Sequence, residues 1–127
     1  MACREDTTLV YYSLADDGFL TAREIVTLDL NAELAVLSAC DTGNGEIANG
    51  EGVVGLSRAF FRAGAASLVV SLWAILDQPT ATLMENFYLE LNAGADKATA
   101  LRQAMLTTRE QFPAPGNWAA FTVMGAI

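Results

Sequence analysis

The segment LAVLSACDTGNGE, residues 34–46, joins an apolar run to a glycine-rich loop through a single cysteine. The run LAVLSA has the length of a strand and no polar alternation, which predicts a strand covered on both faces. Cys40 follows directly after this run. In open parallel sheets, sites form beyond the carboxyl ends of the strands. The segment therefore predicts a buried strand of a parallel sheet with Cys40 at its carboxyl end, where a site could form.

Strand-like apolar runs alternate with amphipathic helical segments along the chain, which is the pattern of an α/β domain. One helical segment separates each of the first three predicted strands from the next, so these three strands should be parallel. Two helices precede the last strand, so that strand should run antiparallel. Strands are predicted at 8–14, 34–39, 67–73 and 117–125, and helices at 53–63, 79–92 and 97–112.

Recognisable signals mark several helix boundaries. Thr21 and Glu24 fit a capping box, in which the hydroxyl and the carboxylate each accept a backbone N–H. Asp77 and Asp96 are predicted to cap the two later helices. Gly64 lies where a residue in the left-handed conformation would end a helix.

The composition is that of one acidic globular domain. Hydrophobic residues make up 53% and charged residues 17% of the 127 residues, which is enough for a buried core. Seven Lys+Arg against fifteen Asp+Glu give a net charge of −8, which argues against binding nucleic acid or an anionic membrane surface. No run approaches the roughly 20 apolar residues of a membrane span.

The two cysteines favour a reducing compartment, and the polar N-terminus carries no signal region, so a cytoplasmic protein is expected. Two cysteines without a histidine do not make the usual zinc site, and neither a metal nor a cofactor is expected.

Cys40 has a functional and a structural interpretation. A helix beginning near Val53 would direct its positive end toward the loop and favour a nucleophilic thiolate. Cysteine is equally common as a small buried residue. The pattern Gly43-Asn-Gly45-Glu-Ile-Ala48 superficially matches a dinucleotide-binding loop, but Cys-Asp-Thr intervenes after the strand and Glu46 would repel a pyrophosphate.

Several longer motifs accompany this cysteine. They are LAVLSACDTGNGE, GEGVVGLSRAFFRAGAASLVVSLWAILD, ATLMENFYLEL, ALRQAML and NWAAFTVMG. From about Ala15 onward the sequence resembles the CHAT domain, a group of caspase-like cysteine peptidases related to caspases and separases. The resemblance implies a three-layer α/β/α caspase-like sandwich with a mostly parallel sheet and an antiparallel last strand, in a single unit over 1–127.

The resemblance also implies site residues and partners. Cys40 of the Ser-Ala-Cys motif is then the nucleophile, and Gly43 lies where backbone N–H groups stabilise an oxyanion. The family's partner histidine belongs to an upstream His-Gly motif, whereas this chain contains no histidine. We therefore expect the C-terminal part of a CHAT domain, inactive alone.

Its expected partners are a peptide or protein substrate, the missing N-terminal half of the domain and TPR repeats, which commonly precede CHAT domains in bacterial proteins. The alternative is a degenerate CHAT domain that serves as a non-catalytic protein-interaction module.

The acidic and aromatic side chains nearby each allow two interpretations. Asp41, or the pair Glu46 and Glu51, could bind a basic residue of a substrate peptide or be solvated loop charges, and solvation is favoured for Glu46. Glu51 is expected near a helix N-terminus, where a carboxylate is favourable. As negative neighbours, these carboxylates favour the neutral thiol. Trp73 and Trp118 have the residue type of pocket aromatics, but their position at predicted strand ends favours core packing.

Overall fold

A computed structural model describes residues 21–37 and 52–126. Within these two ranges the chain forms four α-helices, three strands and one 3-10 turn. The elements are α1 (Ala22–Ile25), β1 (Ala35–Leu37), α2 (Gly52–Arg62), β2 (Ser67–Ser71), α3 (Asp77–Asn92), α4 (Lys97–Gln111), the 3-10 turn (Pro115–Asn117) and β3 (Phe121–Gly125).

The described strands form one mixed sheet in the order β1-β2-β3. β1 pairs with β2 in parallel, with Leu37 opposite Val70. β2 pairs with β3 in antiparallel fashion, with Ser71 opposite Phe121. The antiparallel last strand that follows from counting helices is therefore confirmed. The parallel strand predicted at 8–14 lies outside the described residues.

Helices cover both faces of this sheet. Successive strand residues point to opposite faces, so Leu68 and Val70 pack with α1 and α2, whereas Val69 packs with α3 and α4. The first face also buries Ile25 and Phe60. The chain therefore adopts the predicted three-layer α/β/α arrangement.

The capping predictions are confirmed at two of three helices. The backbone N–H of Thr21 donates to the Glu24 carboxylate at 2.7 Å, and the Glu24 N–H donates back to the Thr21 hydroxyl at 3.3 Å. Asp96 accepts the backbone N–H of Thr99 at 2.9 Å and caps α4. The cap predicted at Asp77 is wrong, because this residue is already inside α3 and Leu76 precedes the helix without a side-chain bond.

Gly64 lies two residues after the end of α2 and adopts the left-handed conformation, with a φ of 106°, as predicted from its position. A Cβ on this residue would lie 2.6 Å from the carbonyl oxygen of Leu30. Glycine is therefore required here both by the left-handed backbone and by the close approach of a neighbouring segment.

Two strands are shorter than the sequence predicts. β2 ends at Ser71 rather than at residue 73, and β3 begins at Phe121 rather than at residue 117. Pro115 starts a 3-10 turn before β3, and a proline cannot donate to a sheet ladder. Residues 72–73 and 117–120, which were predicted in strands, therefore lie beyond the strands at the carboxyl end of the sheet.

Candidate active site

The carboxyl end of the sheet is defined here by the last residues of β1 and β2, Leu37 and Ser71, together with Phe121, the first residue of β3. The parallel pairing of β1 with β2 places their ends side by side, and the antiparallel β3 starts at the same end. This is the end of an α/β sheet at which sites form.

The predicted site residues Cys40, Asp41 and Gly43 lie in 38–51, outside the described residues, as do Glu46 and Glu51. Their roles remain predictions. The elements on either side of this segment are described: β1 delivers the chain to it at the carboxyl end of the sheet, and the eleven-residue helix α2 receives the chain after it.

Beyond β2 the chain turns away from the sheet at Leu72 and Trp73. The Leu72 backbone N–H donates to the Ala120 carbonyl at 2.7 Å, which continues the pairing with the β3 side by one residue. The Ser71 hydroxyl donates to the Trp73 carbonyl and closes the turn. Ser71 itself is buried. The turn is therefore fixed by both backbone and side-chain bonds.

Two tryptophan indoles donate to the segment that connects α4 to β3. The Trp73 Nε1–H donates to the Gly116 carbonyl at 3.0 Å, and the Trp118 Nε1–H donates to the Pro113 carbonyl at 3.2 Å. The Arg109 guanidinium lies 5.8 Å from the centre of a Trp118 ring, within the range of a cation–π contact. Two indole bonds therefore hold this segment, one from Trp73 after β2 and one from Trp118 within the segment itself.

The expectation that both tryptophans are core residues is not met. Trp73 is 39% exposed, and Trp118 is partly exposed. Leu72 and Leu76 are 45% and 72% exposed in the same stretch. The sequence did not predict the indole bonds to the Pro113 and Gly116 carbonyls. The available signal was a short segment with two prolines and a glycine directly before Trp118.

Lys97 is the only lysine of the chain and could in principle serve as a proton donor in place of a histidine. Its ammonium lies 3.5 Å from the Ala126 carbonyl, just beyond the last residue of β3. Since β3 starts at the carboxyl end of the sheet, Lys97 lies toward the opposite end. It does not belong to the candidate site.

A resolved pKa change occurs at Asp96, which is also remote from this site. Hydrogen bonds from the backbone N–H and the hydroxyl of Thr99 hold the pKa of Asp96 below its ordinary value of 3.8. In the described ranges no cluster of three or more potential metal-ligating His, Cys, Asp or Glu residues occurs. Over the same ranges, no helix has the length and apolar character needed to cross a membrane.

The described residues form an α/β/α domain with a mixed sheet. A family model of the CHAT domain matches residues 3–126. The chain therefore belongs to the CHAT domain family, as its motifs indicated.

Two curated relatives are both called tetratricopeptide repeat protein 28. The mouse protein is 35% identical and the human protein 34% identical, each over 109 residues. The matched region covers 84% of this chain and only 4% of each relative. Both relatives are mammalian, so they give no support to the bacterial setting expected from the resemblance. No solved structure matches the chain.

Proposed function

We propose that this chain is the nucleophile-bearing part of a CHAT-type cysteine endopeptidase domain, with Cys40 as the nucleophile. The observation that carries the proposal is the CHAT match over 3–126, which includes this cysteine. The described part of the parallel strand β1 reaches Leu37, three residues before Cys40 in the sequence, and runs toward the carboxyl end of the sheet. A nucleophile is useful there because strand ends give a site access to solvent and substrate.

The proposed chemistry is acyl transfer to sulfur. The Cys40 thiolate attacks the scissile carbonyl, and the oxyanion that forms accepts hydrogen bonds from backbone N–H groups near Gly43. The carboxylate of Asp41 is proposed to bind a basic side chain of the peptide substrate. The strongly acidic net charge of −8 would also attract such a peptide.

The reaction needs a proton donor for the leaving amine, and imidazole serves this role in related enzymes. The chain contains no histidine among its 127 residues. We propose that residues 1–127 are one CHAT-like fragment and that the histidine-bearing strand belongs to a segment outside this sequence. The fragment alone is then inactive, because removing one member of a catalytic unit abolishes most of its rate acceleration.

The partners of this function are a peptide or protein substrate, the missing N-terminal half of the domain and TPR repeats. The repeats are suggested by the printed name of the two relatives, of which this chain spans about 4%. A cytoplasmic location is proposed because both cysteines would stay reduced there.

A second function is a non-catalytic protein-interaction module, which is a degenerate CHAT domain. The absence of histidine from the sequence favours it. In this case Cys40 would be a structural residue, and supplying an imidazole group would have no effect on activity.

The experiment that separates the two functions measures hydrolysis of a fluorogenic peptide with arginine before the scissile bond. The purified chain is assayed alone and with free imidazole at rising concentration. The peptidase proposal predicts no turnover alone and imidazole-dependent turnover that Cys40→Ala abolishes. If imidazole never produces turnover that depends on Cys40, the interaction module is the better description.

A further inference from the structure

We propose that copies of this domain associate through two unlike faces, with the outer face of α2 in one copy packed against the outer face of α3 in the next. The outer face of a helix is here the side that points away from the sheet. This association does not depend on the peptidase function, and every side chain in the two faces is described by the structure.

The outer face of α2 consists of Val54, Arg58, Phe61 and Arg62, all of which are exposed. Val54 keeps 57% of its surface exposed although it is apolar. The sequence of α2 contains no carboxylate, so neither arginine has an opposite charge within its own helix. This face therefore combines two apolar side chains with two positive charges.

The outer face of α3 consists of Ala81, Glu85, Tyr88 and Leu89, which are also exposed. Their spacing is i, i+4, i+7 and i+8, the same as in the outer face of α2, and side chains with this spacing lie on one side of a helix. Leu89 keeps 60% of its surface exposed. The sequence of α3 contains no cationic side chain, so Glu85 has no opposite charge within its helix. The face of α3 is therefore apolar like that of α2 and opposite to it in charge.

The two faces lie on opposite sides of the domain. α2 packs on the side of the sheet that carries Leu68 and Val70, whereas α3 packs on the side that carries Val69. One copy therefore cannot bring its own two faces together. A pair joined through α2 and α3 still presents an α2 face at one end and an α3 face at the other. Such a heterologous contact adds further copies and ends in an open chain or a ring.

Charge selects a second copy in this orientation. The chain has a net charge of −8, so most contacts between two copies are repulsive. Arg58 and Arg62 give α2 a surface that attracts the acidic face of α3, and opposed charges of this kind set the orientation of a contact. The exposed side chains of Val54 and Leu89 supply apolar area that the contact removes from water. Both requirements of an interface are therefore present on the same molecule.

The test alters one face at a time in the full chain. Val54→Gln with Arg58→Gln changes only the α2 face, and Glu85→Gln with Leu89→Gln changes only the α3 face. All four positions are exposed and glutamine favours helices, so both variants should keep the parental circular dichroism and urea midpoint. Sedimentation velocity under reducing conditions then measures association over a series of protein concentrations.

The parent should form dimers and then larger species as its concentration rises, and each variant should associate roughly tenfold or more weakly. An equimolar mixture of the two variants should form a heterodimer and nothing larger, because the mixture retains one native α2 face and one native α3 face per pair. Arg102→Gln with Glu110→Gln, at exposed positions of α4, is the matched control and should associate like the parent.

Three results would overturn the proposal. A parent that stays monomeric over the whole concentration series shows that a second copy does not occupy these faces. A dimer that survives in both variants places the contact elsewhere, for example at a sheet edge. If both variants lose association and their mixture does not regain it, the pairing of α2 with α3 is wrong, because a contact between like faces is then the better description.

Discussion

The two faces of the sheet are held in different ways. On the α3/α4 face, two helices of 16 and 15 residues pack through side chains, and Phe87 and Leu83 have no exposed surface. On the α1/α2 face, backbone segments lie directly against each other. The Leu30 N–H donates to the Ala63 carbonyl at 2.6 Å, and the Ala66 N–H donates to the Ala32 carbonyl at 2.9 Å.

The two faces are therefore expected to differ in what they contribute, the α3/α4 face mainly to the stability of the fold and the α1/α2 face mainly to the placement of β1 and α2. The α3/α4 face contributes large buried apolar surfaces, which are the main source of folding free energy. The α1/α2 face includes α2 and packs against β1, the two elements that flank the segment with the predicted nucleophile. Backbone contacts fix distances with little tolerance, because no side chain can adjust between the two segments. We therefore expect lost volume to destabilise the α3/α4 face most and added volume to destabilise the α1/α2 face most.

The largest effect is expected for Phe87→Ala on the α3/α4 face. Removal of this fully buried ring should lower the free energy of unfolding by about 3–5 kcal/mol, through lost burial and the cavity that remains. Leu89→Ala on the same helix is the control, since Leu89 is 60% exposed and should change stability by no more than about 0.5 kcal/mol. Urea denaturation measures both; similar losses would contradict the assignment of this face.

Gly64→Ala tests the other face by adding one methyl group. Its φ of 106° costs an alanine about 1 kcal/mol, and the overlap with the Leu30 carbonyl adds about 2 kcal/mol. Gly94→Ala isolates the first cost, because its φ is 97° and nothing lies within 4 Å of the added Cβ. If the two variants prove equally stable in urea denaturation, the close backbone packing of the α1/α2 face is refuted.

A smaller effect is expected for Ser67→Ala. This buried hydroxyl donates to the Glu33 carbonyl at 2.8 Å and ties β2 to the segment before β1. Its loss should cost about 1 kcal/mol, because the carbonyl is left without its partner. Thr27→Ala removes an exposed bond of the same kind, and water can replace it, so stability should hardly change. A Ser67 variant as stable as the Thr27 variant would show that the tie contributes nothing.

The smallest effect concerns Asp96 at the start of α4. Because hydrogen bonds from Thr99 lower the pKa of Asp96, its contribution to stability is present above its ordinary value of 3.8 and is lost as the pH falls through the lowered pKa. Asp96→Asn keeps a capping oxygen and does not titrate. The stability difference between the wild-type chain and this variant should shrink as the pH is lowered from 5 to about 2. A difference that stays constant over that range would refute the linkage.

Much of the described fold could be predicted from the sequence, since it depends on local patterns. The periodicity at 53–63 predicted α2 to within one residue at each end, and the helix count predicted the direction of β3. The predictions that were wrong concern side chains whose positions depend on contacts with residues distant in the sequence. Trp73 and Trp118 donate to the α4–β3 connection instead of entering the core, and nothing in their local sequence specifies those carbonyl partners.

The candidate site was predicted less completely. The apolar run before Cys40 forms a strand that pairs in parallel with β2, as predicted, while the cysteine itself lies outside the described residues and its position stays a prediction. The arrangement of the Pro113–Asn117 connection could not be predicted, because a connection between a helix and a strand carries no periodic signal. Its structure depends on tertiary hydrogen bonds.

We propose that Cys40 is a nucleophile separated from the histidine it requires. The most direct test is the pH dependence of iodoacetamide labelling of a Cys3→Ser variant. Acidic neighbours and the missing imidazolium should leave the thiol mostly protonated at neutral pH, so labelling should rise only toward the reference value for free cysteine of about 8.5. Half-maximal labelling clearly below about pH 7 would contradict the account, because the scaffold would then activate the thiol without histidine.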